Sequence, residues 1–465
     1  MNTQNGPSFS AAEIAQQVRR GELRAVDLLQ DTLSTIHAKN GQLNAFTKIT
    51  EGRALQEAEA VDRQVAEGKD PGSLAGVPFA VKNLFDLAGE ITLAGSKINR
   101  ENAPALADAT AVRRLTAAGA IMVGALNMGE YAYDFTGENT HYGPSRNPHD
   151  LSRMTGGSSG GSGAAVAGGM VPLALGSDTN GSIRVPSSLC GIFGLKPTYG
   201  RLSRAGTFPF CPSLDHIGPL ARSVADLALA YDVMQGMDPA DPVCADTAIE
   251  TVSAQLGEGI GGLKIAIAAG YFSQQATPAA EQALSRVAAA LEVTDSIELP
   301  GTAQARAAAY LITNAESSNL HLDRLRRHAA DYDPDVRDRM LAGTLLPASW
   351  NIQAQRFRRW YQEAVLQVFA RYDLLLAPAT PMPAPLIGQR HMMLGGEEML
   401  VRPHLGLYTQ PLSFIGLPVV VVPVATEGAM PIGVQIIAAP WQEAKALKVA
   451  RHLELHEFTC PIPYI

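Results

Sequence analysis

The stretch GLPVVVVPVA, Gly416 to Ala425, is the longest apolar run in the chain. It falls far short of the roughly 20 residues a helix needs to cross a bilayer, and it reads as a strand. A second run, PIGVQIIA, follows after a short polar connection, so the two can form a hairpin. Comparable runs recur at Val77 to Val81, where the strand ends on Lys82, at Ile121 to Leu126, in MVPLALG, at Leu263 to Ala269 and in YDLLLAP.

Helical patterns alternate with these strands. A capping box from Ser10 to Glu13 precedes Ile14 and Val18, and a second helix from about Ala25 to Ala38 sets Val26, Leu29, Leu33 and Ile36 on one side. AVRRLTAAGA leads into the strand at Ile121, and AAVAGG into MVPLALG. A helix followed by a strand is half of a βαβ unit. The expected class is α/β, a large mixed, twisted sheet covered by helices on both faces. From about Pro278 to Ala370 the chain turns helical, with AAEQALSRVAAALEV and NIQAQRFRRWYQEAVLQVFARY as amphipathic pieces that would add a helical region over one side. No internal repeat or Pro/Ser-rich linker divides the chain, so one domain over residues 1–465 is expected.

With 465 residues, 46% of them hydrophobic, a large core is possible. The net charge of -8 and the absence of any Lys/Arg run argue against a nucleic-acid or anionic-membrane partner. A small-molecule substrate is the better expectation. The N-terminus lacks a basic-then-apolar signal pattern, so a cytoplasmic protein is expected. Cys190, Cys211, Cys244 and Cys460 lie scattered without CxxC spacing, as reduced, mostly buried thiols would. His141, His149 and His216 are assigned to loops and have no metal-ligand spacing, so neither a metal nor another cofactor is expected.

The segment GGSSGGSG, Gly156 to Gly163, would elsewhere read as a linker. It is no phosphate loop, because no lysine follows the glycines. Its Gly157-Ser158-Ser159-Gly160-Gly161 register satisfies GxSxG, with Ser159 as nucleophile, but that motif needs a buried strand before it, and NPHDLSRMT reads as polar and turn-like. A second polar island, GSDTNGSIRVPSSLCG, follows the strand VPLALG directly. It places Ser182 at the C-terminal edge of the sheet, where α/β proteins bind ligands. Backbone N–H groups in such a turn can converge on a developing oxyanion.

The block GGSSGGSGAAVAGGMVPLALGSDTNGSIRVPSSLCGIFGLKPTYGR, Gly156 to Arg201, resembles the signature of the amidase signature family. The likeness continues through AVKNLFD, ENTHYGPSRNPHD, APATP and MPIGVQIIAAPW, and so covers nearly the whole chain. It implies the amidase signature fold, with a signature core over about 76–220 and the helical region over about 278–370. It also implies a Ser-cisSer-Lys triad, with Ser182 as nucleophile, Ser158 as the bridging serine behind a cis peptide bond, and Lys82 as base.

The residue types suit those roles. A serine hydroxyl needs a base within hydrogen-bonding reach, and a lysine can be that base only if burial disfavours its charge. Ala80, Val81, Leu84 and Phe85 supply apolar flanks, although on local sequence Lys82 reads equally as a surface lysine at a strand end. The oxyanion hole would come from the N–H groups of Thr179, Asn180, Gly181 and Ser182. Asn180 departs from the usual second glycine of the family; asparagine tolerates positive φ, and its amide would then project toward the substrate. Arg184 is open to two roles, meeting a substrate carboxylate or bracing the loop through an ion pair with Asp178.

Within the family, the glutamine-handling subunits resemble this chain at AQRFR, where Arg358 matches an arginine that meets the substrate's carboxylate. They place an Asp for the substrate's amino group where this chain has Gly406. The resemblance therefore implies an amidohydrolase that releases ammonia from a carboxylated ureido compound lacking an ammonium group. The alternatives are an A-type subunit of a glutamine amidotransferase, an allophanate or other small-amide hydrolase, and a non-enzymatic scaffold. The resemblance further implies a small helical accessory subunit, with two copies of this chain in a heterotetramer.

Overall fold

The two apolar runs pair as an antiparallel hairpin, Val419–Val424 against Ile432–Ala438, with Val420 opposite Ile436 and Val422 opposite Val434. Every residue of both strands is buried, odd and even positions alike, so both faces of the sheet are covered. The computed structural model describes residues 9–425 and 430–463. Part of the hairpin connection, residues 426–429, lies outside them.

The hairpin sits inside an eleven-stranded mixed sheet. In spatial order the strands are Phe46–Ile49, Ile121–Leu126, Pro78–Lys82, Leu173–Asp178, His216–Ala221, Phe193–Lys196, Val419–Val424, Ile432–Ala438, Leu374–Pro378, Ile265–Ala269 and Ser296–Glu298. Pro78–Lys82 runs parallel to both of its neighbours, which puts Lys82 at the C-terminal strand ends beside the end of Leu173–Asp178. Strands from the first half of the chain form one end of the sheet and strands from the second half the other, joined where Val419–Val424 pairs with Phe193–Lys196. The fold is the large mixed sheet with covering helices read from the sequence.

The helix Ala11–Arg19 opens on the Ser10–Glu13 capping box, with both reciprocal hydrogen bonds made. Ala25–Leu43 buries Leu29 and Ile36, while Val26 and Leu33 lie half-buried against the same core. The longest helix, Thr302–His328, lies within the stretch read as helical, together with Pro278–Ala290, Pro334–Gly343 and Ala348–Phe369. That stretch is not wholly helical, because Ser296–Glu298 interrupts it and extends the sheet edge.

Two local readings need correction. NPHDLSRMT is not a turn: Arg146–Asn147 and Asp150–Met154 form a small two-stranded sheet, polar because it lies apart from the main sheet. His216 is not in a loop but opens the buried strand His216–Ala221, its Nδ1 within 2.6 Å of the Leu214 carbonyl and 3.0 Å of the Asp178 carbonyl.

Candidate active site

Lys82 is fully buried. Its Nζ donates to Ser158 Oγ at 2.6 Å and to Ser177 Oγ at 2.8 Å. Burial disfavours the ammonium and draws its pKa down to about 7, against the opposing pull of Asp178, Asp215 and Asp134. Of the two sequence readings of this lysine, the buried one holds. Ser177 escaped the sequence reading, although Leu173–Asp178 neighbours the lysine's strand, and pairing the two would have brought it forward.

Ser158 follows a cis peptide bond from Gly157. The chain around it is clamped: Gly129 N–H donates to the Ser158 carbonyl at 3.1 Å, and Gly157 N–H to the Phe135 carbonyl at 2.9 Å. A Cβ on residue 157 would stand 2.4 Å from Asp134 Oδ2 and 2.7 Å from Gly137 N, so only glycine fits. Ser159 has a different fate. Its hydroxyl donates to the Ser177 carbonyl at 3.2 Å and accepts from the Ser177 N–H at 3.3 Å, which ties the GxSxG serine into the scaffold.

The turn after Leu173–Asp178 is held from three sides. Thr179 Oγ1 donates to Asp215 Oδ1 at 2.6 Å, Thr409 Oγ1 donates to the Asn180 carbonyl at 2.7 Å, and Asn180 Nδ2 donates to Thr313 Oγ1 at 3.0 Å. Among the described residues, the N–H groups of Thr179, Asn180, Gly181 and Ser182 donate no hydrogen bond. A run of unpaired N–H groups at a strand end is an anion-binding geometry. Asn180 does not take the positive φ expected of it; Gly181 does, at 143°, where a Cβ would meet Thr409 Oγ1 at 2.1 Å. The Asn180 amide nitrogen donates to Thr313, and its buried Oδ1 has no partner among the described residues.

Ser182 is buried, and its hydroxyl makes no hydrogen bond among the described residues. The structure thus joins Lys82 to Ser158 but shows no bond from Ser158 to Ser182. Arg184 takes the bracing role of its two readings. It is fully buried, pairs with Asp178 through Nε at 2.9 Å and Nη2 at 3.0 Å, and donates from Nη1 to Gln435 Oε1 at 2.8 Å. Its bonds go to protein groups and none of its surface is exposed.

Arg358 lies on the helix Ala348–Phe369, half-buried. Its Nε donates to the Phe414 carbonyl at 2.6 Å and its Nη2 to the Ser213 carbonyl at 2.8 Å. It forms no ion pair with a carboxylate among the described residues, and so remains a cation without a counter-charge in contact. Ser213 belongs to the loop whose Asp215 holds Thr179, which links Arg358 to the unpaired turn. Gly406 packs against the Phe135 ring, where a Cβ would come within 2.4 Å. The other two histidines considered from the sequence are tied to protein groups, His149 Nε2 to the Cys190 carbonyl at 3.0 Å and His141 Nε2 to Glu130 Oε1 at 2.9 Å.

Comparison with known proteins shows the family. The family model described as Amidase matches residues 27–447. Over 96% of this chain and 98% of the relative, the sequence is 52% identical to AtzE, the 1-carboxybiuret hydrolase subunit of Pseudomonas sp. (strain ADP). It is 37% identical to the A-type subunit of the glutamyl-tRNA(Gln) amidotransferase of Carboxydothermus hydrogenoformans, covering 96% of each chain. Among solved structures, one described as a vestigial protein complex that reveals the evolutionary origins of an s-triazine catabolic enzyme superposes with a TM-score of 0.95 at 52% identity, covering 97% of this chain and 99% of its own.

Proposed function

This chain belongs to the amidase family and is a hydrolase of amide C–N bonds, and from that premise we propose that it releases ammonia from a carboxylated ureido compound, 1-carboxybiuret, to give urea-1,3-dicarboxylate. The observation that carries the chemistry is the row of N–H groups from Thr179 to Ser182, unpaired among the described residues and placed beside a lysine whose pKa burial draws down to about 7.

Ser182 Oγ attacks the terminal ureido carbonyl and passes its proton through Ser158 to Lys82. The oxyanion is received by the N–H groups of the turn, which need no reorganisation as charge develops. The C–N bond breaks as the returned proton leaves with ammonia, and water then hydrolyses the acyl-enzyme by the same route.

Substrate choice rests on Arg358 and Gly406. Arg358 forms no ion pair among the described residues, although the Glu316 carboxylate acts on it from nearby, and it is suited to the substrate carboxylate. At Gly406 there is no carboxylate for an α-amine, and Phe135 occupies the space a side chain would need. That favours a ureido acid over glutamine, in keeping with the 52% identical relative named for 1-carboxybiuret hydrolysis.

That relative is named as one subunit of its enzyme, and the superposing structure is described as part of a complex. We therefore extend the proposal to a heterotetramer in which two copies of this chain are joined by a small helical accessory subunit. Among the described residues no helix is long and apolar enough to cross a membrane, and we place the assembly in the cytoplasm.

The test is ammonia release from 1-carboxybiuret, allophanate, biuret, glutamine and malonamate, with and without a candidate small subunit. We expect 1-carboxybiuret to be turned over fastest and Ser182→Ala to abolish release. Turnover of glutamine alone would overturn the substrate, and undiminished release by Ser182→Ala would overturn the mechanism.

A further inference from the structure

Asp134 sits at the centre of the clamp on Ser158. Its Oδ1 accepts from Thr136 N–H at 2.9 Å and Thr136 Oγ1 at 2.8 Å, and its Oδ2 from Gly137 N–H at 2.6 Å. The turn so formed lies directly against Gly157. On its other side, a Cβ on Gly129, the residue that donates to the Ser158 carbonyl, would stand 2.4 Å from Asp134 Cβ. The carboxylate is wholly buried and, among the described residues, pairs with one cation, Arg402 Nη1 at 2.9 Å, from the short helix Val401–His404. Arg402 also reaches Asp335 at 3.3 Å and Glu138 at 3.9 Å.

Given the triad reading above, on which this inference rests, we propose that Arg402 is a positioning residue of the catalytic centre. It holds Asp134, and through it the turn that cradles Gly157 and Ser158, and it offsets at Lys82 the charge that Asp134 brings there.

The charges facing Lys82 support this division of labour. Asp178, at the end of the adjoining strand, is matched by Arg184, with Lys196 and His216 also beside it. Asp215, from the loop before His216–Ala221, is pushed toward its neutral form by burial, opposed by the Thr179 hydroxyl, the Phe210 and Cys211 N–H groups and Arg204. Asp134 is the third carboxylate, and Arg402 is its matching cation. Without Arg402, Asp134 would act unopposed on Lys82 and favour the ammonium, so the base would become available only at higher pH.

The experiment follows the rate of Ser182 modification by a fluorophosphonate as a function of pH, a readout independent of the natural substrate. In that step the Oγ–P bond forms as P–F breaks, fluoride leaves, and the proton goes through Ser158 to Lys82. We expect the midpoint of the pH profile to rise in Arg402→Gln by about half a unit, which makes labelling at about pH 6 roughly threefold slower than wild type while rates converge in alkali. Arg402→Lys should restore the midpoint, and Asp134→Asn should move it the other way. Loss of packing alone would slow both Arg402→Gln and Asp134→Asn without moving their midpoints apart, and that outcome overturns the inference. Lys82→Met separates the two layers: if it labels as fast as wild type, the triad reading falls and this inference with it. If it is unreactive while Arg402→Gln keeps the wild-type midpoint, only the inference falls.

Discussion

At the scale of the residue, Lys82 shows what local sequence leaves open. Its position at a strand end is legible in AVKNLFD, but its burial is not, because the partners Ser158 and Ser177 lie 76 and 95 positions away. The same distance makes its energetics testable. Burial depresses the folded-state pKa to about 7, while the unfolded chain keeps a lysine near its ordinary value of about 10.4. Between these values the unfolded state binds more protons, so stability contributed at this site rises with pH across that window and is least below its lower end. Lys82→Met removes the penalty. We expect the variant to be inactive yet to melt at a higher temperature than wild type at neutral pH, with the gap closing as pH approaches 10; thermal melts across that range check it. A gap that is constant or widens with pH would contradict a depressed lysine.

At the scale of the element, the strand and the turn that follows it were legible from VPLALG followed by a Gly/Asn/Ser island, but the helix Arg184–Cys190 after them was not. Nor were the torsions inside the turn. Asparagine looked like the residue for positive φ, yet Gly181 takes it, because Thr409 from a distant helical turn presses against that point and bonds the Asn180 carbonyl. Gly181→Ala would place a Cβ 2.1 Å from Thr409 Oγ1, and the turn would have to shift its N–H groups. We expect kcat to fall by about 100-fold, the scale of a lost oxyanion donor, with a smaller change in KM; steady-state kinetics decides, and a change within twofold would remove the turn from the mechanism. Likewise, Arg184 pairs with Asp178 as one of its two roles had it, but its further bond to Gln435, more than 200 residues away, was not legible.

At the scale of the molecule, the sheet joins both halves of the chain at the pairing of Phe193–Lys196 with Val419–Val424. The candidate site draws on both. Asn180 bonds Thr313 on the long helix and accepts from Thr409, and Lys196 at the joint is buried near Asp178. A continuous sheet with a shared core should unfold as one unit. We expect one calorimetric transition for the isolated chain, with calorimetric and van't Hoff enthalpies in agreement. Two resolved transitions would show that the expected single domain is two.

What the sequence determined by itself is many of the elements and the chemical inventory: apolar runs of strand length, amphipathic helices, a Gly/Ser segment, and the serines and lysine whose pattern resembles a known family. Those signals are local, carried by periodicity, turn residues and motif spacing. What only the tertiary structure decided is which polar groups are satisfied and which are left free. Lys82 becomes a buried amine, Ser159 a scaffold bond and Arg184 a brace, while the N–H groups of Thr179 to Ser182 remain unpaired. A polar group's reactivity depends on its desolvation and its partners, and here most of those partners come from strands and helices tens to hundreds of residues apart.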